Sequence, residues 1–145
     1  MAGATRDMNL SFQAAETALR AAEAFIESQT DAPDCHPSTS LCEPTEDPFT
    51  IEWNDTNSKE IVEDTTGEIY REIYGELQVV PSPPRYMIKK LKKIDDATVF
   101  RVTVRGTGGT NNRATLLRSH YAKVFGADSA GPVGRLSWEQ LFPSQ

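Results

Sequence analysis

The stretch RGTGGTNNR, residues 105–113, sets Gly106, Gly108 and Gly109 between Arg105 and Arg113. Exposed backbone N–H groups ahead of a helix, flanked by guanidinium groups, favour an anion. A Walker loop would close on Gly-Lys-Ser/Thr so that lysine and magnesium reach the phosphates, and this stretch lacks that ending. Its glycines are also wrongly spaced for a dinucleotide fingerprint. The loop 106–112 is therefore a general anion contact or a plain connection. An enzyme using it as an anion pocket stands as the alternative reading of the chain.

A larger group of cations surrounds that loop. Lys89, Lys90, Lys92, Lys93, Arg101, Arg105, Arg113 and Arg118 fall within residues 89–118. The chain of 145 residues has net charge −6, but residues 1–84 carry −13 and residues 85–145 carry +7. Such a split points to a polyanion-binding half beside an acidic arm, with nucleic acid or an acidic protein as the partner. The competing reading is that the two halves neutralise each other within one fold. Tyr86 and Tyr121 are the only aromatics placed to stack on bases, so sequence-specific readout is not expected.

Other chemistries find little support. Cys35, His36 and Cys42 lie together without a fourth ligand, whereas structural zinc takes four at tight spacing. A thiol in an acidic stretch has a raised pKa and no positioning, which argues against Cys–His catalysis. His120 stands alone, and Asp64, Asp95 and Asp96 show no convergence. No catalytic residue, metal or cofactor is assigned.

The elements that must position the cations follow from periodicity. Ser11–Ser28 reads as an amphipathic helix, rich in Ala, Leu and Glu, with Phe12, Leu19 and Ile26 recurring every seven residues and Ala15 and Ala22 between them. That seam suits packing on its own domain, self-association through residues 11–28, or docking on a partner. Residues 29–48 hold four prolines and five acidic residues. So little apolar surface cannot offset the entropy of ordering, and an acidic disordered linker is expected. FTIEW, residues 49–53, alternates as a short strand. A helix is expected over residues 66–74, and a possible strand at LQVV, residues 77–80.

RYMIKKLKKIDDATVFRVTVR, residues 85–105, reads as a hairpin. Phe100, Val102 and Val104 alternate with Arg101, Thr103 and Arg105, Asp95-Asp96 makes the turn, and 86–94 is a bulged partner strand. Residues 112–125 read as a second helix, with Asn112 as N-cap, Gly126 as stop, and Ala114, Leu117, Tyr121 and Val124 as its buried stripe. LSWEQLF, residues 136–142, reads as a last helical turn.

These readings give an α+β chain: a helix over 1–28, a linker over 29–48, and a compact domain over 49–145. Its small antiparallel sheet carries two or three helices. No stretch is long and apolar enough to span a membrane. Two cysteines and no secretory leader suggest an intracellular protein, cytoplasmic or nuclear. The expected function is that of a non-enzymatic interaction or regulatory protein. Regulatory adaptors and viral polymerase cofactors share this plan, which makes capture of the linker as a short motif a further reading.

Overall fold

A computed structural model describes residues 2–32, 35–36, 48–49, 52–54, 58–60, 83–108, 114–126 and 133–143. Among these residues the elements are one helix, α1 (Ala2–Ser28), and six strands: β1 (Cys35–His36), β2 (Lys59–Glu60), β3 (Arg85–Ile94), β4 (Ala97–Thr107), β5 (Ala114–Val124) and β6 (Gly134–Leu141). They form one antiparallel sheet in the order β1-β3-β4-β5-β6, with β2 also pairing to β3. Among the described residues the architecture is thus mostly sheet with a single helix on it, and the α+β class holds only in that coarse sense. The helix expected over 66–74 and the strand at 77–80 lie outside the described residues.

The N-terminal helix runs as expected and begins nine residues earlier than Ser11. Ser11, Ala14, Ala15, Ala18, Leu19, Ala22 and Ile26 are buried on one stripe. That stripe meets Tyr86, Ile88, Phe100, Val102, Val104 and Leu117 of the sheet in a single apolar core. Small residues at five of these helix positions let the backbones approach closely. Gly106 of β4 lies beneath Ser11, Ala14 and Ala15, where an added methyl would collide with helix backbone. Here glycine answers the need for close approach and not for a turn.

The helix ends without a basic residue in its last turn. The sheet supplies one instead: Lys123 Nζ donates to the carbonyls of Ile26 at 3.3 Å, Glu27 at 2.6 Å and Gln29 at 2.9 Å. A cation there satisfies carbonyls that have no partner within the helix and opposes the negative end of its dipole. Nearby, the Tyr121 hydroxyl donates to Glu27 at 2.5 Å. Burial first, and then that bond, hold its phenol well above the ordinary range. Arg135 donates twice to the Glu23 carboxylate at 2.8 Å. Three strand residues thus fasten the C-terminal half of α1.

The β3–β4 hairpin forms as the alternation requires. Asp95, at φ 54°, takes the left-handed turn position that aspartate tolerates, and Ile94 pairs with Ala97. The register slips between Lys90 and Lys92, leaving Leu91 as the bulge.

Three expectations are overturned. Residues 114–124 form strand β5 and not a helix, paired with β4 from Ala97↔Val124 to Thr107↔Ala114. Residues 134–141 form strand β6 and not a helical turn. No strand forms at Phe49 or Glu52–Asn54; Pro48–Phe49 is a turn, and the Trp53 indole donates back to the Pro48 carbonyl at 3.0 Å. Within the expected linker, Cys35 and His36 pair with Lys89 and Ile88.

Candidate polyanion interface

Strand register decides which cations share a side. Phe100, Val102 and Leu117 face α1, so Arg101, Thr103, Arg105, Arg118 and His120 point to the opposite, outer face. Trp138 packs edge-on against Phe12 with ring centroids 6.1 Å apart, which turns Ser137 and Glu139 outward. The ladders then line up one rung across four strands, Lys89–Arg101–His120–Ser137. Neighbours on a rung stand about 5 Å apart at Cβ. His120 Nδ1 and the Ser137 hydroxyl share a hydrogen bond of 2.9 Å. The next rung reads Met87–Thr103–Arg118–Glu139, in which Arg118 Nε donates to the Thr103 hydroxyl at 3.2 Å.

Lys92 pairs with Val99 and joins the same outer face, whereas Lys90 and Lys93 pair with Phe100 and Thr98 and belong to the helix side. Glu139 is the one acidic residue that strands β3–β6 place on the outer face. Arg85, at the edge of that face, is neutralised by Glu60 of β2 at 2.8 Å. The cations therefore concentrate on one side and around the hairpin tip.

They differ in access. Lys90, Lys92 and Lys93 are exposed; Lys89, Arg101, Arg105, Arg118 and His120 are half-buried. Arg101, Arg105 and Arg118 all have partners within the chain. Met87, Val99, Thr103, Leu116 and Ala122, on the same outer face, are buried. The expected patch thus divides into an open lysine tip and a half-buried arginine row. Arg113 lies outside the described residues.

The glycine loop is displaced from the role it suggested. Gly106 and Thr107 belong to β4, and Gly106, Thr107 and Gly108 are all buried. The part from 109 to 113 lies outside the described residues. Of the expected partner seam, Leu19 and Ile26 are buried against the chain's own sheet, and Phe12 packs on Trp138. That seam is occupied within the molecule.

His120 and Ser137 had no place in the expected site. His120 seemed to sit on a helix and Ser137 in a helical turn, so nothing local connected them; only the β4–β5–β6 register brings them to one rung with Arg101. Among the described residues, no group of three or more His, Cys, Asp and Glu side chains is arranged to hold a metal ion, and no helix is long and apolar enough to cross a membrane. Set against known protein families, curated proteins and solved structures, the chain matches none.

Proposed function

We propose that the protein is a non-enzymatic interaction protein that holds a polyanion, with single-stranded nucleic acid as the ligand to test, along the lysine tip of the β3–β4 hairpin and the adjoining rung. The carrying observation is the exposure of Lys90, Lys92 and Lys93 at the hairpin tip, where Lys92 shares the outer face with the rung Lys89–Arg101–His120. Phosphate contacts of this kind position a strand without reading its bases. Each contact releases counterions, so binding weakens steeply with salt. Arg101, Arg118 and Lys90, already engaged within the chain, set the local potential, and the exposed Lys92 and Lys93 make the contacts.

The test is retention on immobilised single-stranded DNA. The chain should be held at low salt, and the double variant Lys92→Glu, Lys93→Glu should elute early. Equal retention of the two would overturn the reading. Retention only on a column of acidic polypeptide would move the ligand to the acidic-protein class.

A further inference from the structure

His120 stands on the outer face of β5, in the rung that joins Lys89 and Arg101 to Ser137 of β6. The β6 end of that rung is open: Ser137 and Glu139 are exposed, and His120 is half-buried. Its Nδ1 shares the 2.9 Å hydrogen bond with the Ser137 hydroxyl, and Nε2 has no partner among the described residues. A hydroxyl both donates and accepts. Ser137 can therefore donate to a neutral ring or accept from a protonated one, and it keeps the ring's orientation in both states. Among the described residues, the charged groups facing His120 are Arg101 of β4, Arg118 two positions away on β5, and Glu139 of β6. One strand further, Lys89 and Lys92 of β3 share the face. Glu139 stands opposite Arg118 in the ladder and not opposite His120. The setting is mostly cationic, so an anion that runs from the lysines across the sheet meets the imidazole next.

We infer that His120 is a proton-linked phosphate contact, so that the chain holds a polyanion more tightly as pH falls. The inference rests on the polyanion reading above and adds to it a control by pH. Histidine is the side chain whose ordinary titration falls between about pH 5 and 8. One nitrogen of the neutral ring donates, and both nitrogens of the charged ring do. Protonation thus lets Nδ1–H stay on Ser137 while Nε2–H donates to a phosphate oxygen in a charge-assisted bond. A phosphate beside the ring favours the charged form, and by reciprocity the charged form favours the phosphate. The bound chain then carries more protons than the free chain, and affinity rises as pH falls. Arg101 and Lys92 cannot supply this response, because both types stay charged throughout that range. Two strand spacings and one step along the strand separate Lys92 from His120 by about 12 Å, within reach of one short run of phosphates.

The test is binding of a fluorescent oligothymidylate, whose bases do not titrate in this range, to the full chain between about pH 8 and pH 5. Affinity at low salt should rise by about threefold toward acid pH, and the salt slope should steepen by about 0.7, one phosphate contact on a single strand. His120→Gln, which keeps a partner for the Ser137 hydroxyl, should flatten the response. His36→Gln, at the only other histidine, should preserve it. A second reading needs no variant and so does not depend on the folding of His120→Gln. Calorimetry on the unaltered chain at about pH 6.5, in buffers of different ionisation enthalpy, should show a fraction of a proton taken up per chain bound. Binding without proton uptake, or a pH response that a folded His120→Gln leaves intact, overturns the inference and leaves the lysine-tip reading standing. So does a response that only His36→Gln removes. No binding at any pH overturns both.

Discussion

Gly106 lies directly under Ala15: a methyl group on Gly106 would press into the Ala15 nitrogen and the Ser11 carbonyl oxygen and come 2.8 Å from the Ala14 carbonyl carbon. All three obstacles are backbone, so no side-chain rotation relieves them. Gly106→Ala must push α1 off the sheet, and it should cost about 3 kcal/mol or more, at the upper end of overpacking. Urea unfolding of the variant checks this. A loss under about 1 kcal/mol would mean that the helix does not sit this close.

Lys123 and the end of α1 make a second such relationship. With three carbonyls bonded to one ammonium group, Lys123→Met should destabilise the chain by about 1.5–3 kcal/mol, the range for hydrogen bonds to a charged group. Methionine preserves most of the stem that packs by Phe125, whose ring centre lies 4.9 Å from Nζ. Hydrogen exchange should localise the effect, with faster exchange in the last turn of α1 and little change in β4.

Much of the first half of this architecture was legible locally. The Ala-rich stripe from Ser11 to Ile26 has helical period and no competing signal, and the alternation from Phe100 to Arg105 admits only a strand. Strand β5 was not legible for a physical reason. It lies between β4 and β6 with both faces covered, so Leu116 and Leu117 are both buried and the alternation of apolar with polar residues disappears. Ala114, Leu117, Tyr121 and Val124 then imitate a helical stripe, and the pairing with β4 overrides the local preference. The candidate site suffered in proportion. Lys89, Lys92 and Arg101 could be grouped from the hairpin, but His120 and Ser137 needed the register of two strands that sequence had read as helical.

Two hydroxyls on the helix side of β5, four residues apart, should respond oppositely to removal. Ser119 is fully buried and its hydroxyl has no hydrogen-bond partner among the described residues. Ser119→Ala should therefore be neutral or stabilising, by up to about 1 kcal/mol. Thr115 shares a buried 2.7 Å hydrogen bond with Ser11. Thr115→Val would leave the Ser11 hydroxyl with only its bond to the Met8 carbonyl, and should cost about 1 kcal/mol. Paired thermal melts of the two variants decide the matter.

Alkaline stability should report on Tyr86. Burial pushes its phenol up to about 12 from the model-peptide value of 10.0. The folded chain holds that proton more tightly than the unfolded chain does. Its contribution is thus fully present below pH 10 and is lost as pH rises toward 12. Two pH units correspond to about 3 kcal/mol at the far end. Denaturant titrations between pH 9 and 11 should show stability falling, and Tyr86→Phe should flatten the slope. An unchanged slope in Tyr86→Phe would assign the fall to other groups, Tyr121 first among them.

The most direct measurement is the salt dependence of binding to a fluorescent single-stranded oligonucleotide, for the chain and for the double variant Lys92→Ala, Lys93→Ala. The logarithm of affinity should fall linearly with the logarithm of salt concentration, and the variant should bind more weakly with a slope shallower by about 1.4, about 0.7 for each phosphate contact removed from a single strand. No binding at low salt, or a slope that the two substitutions leave untouched, would contradict a polyanion held by the lysines of this hairpin.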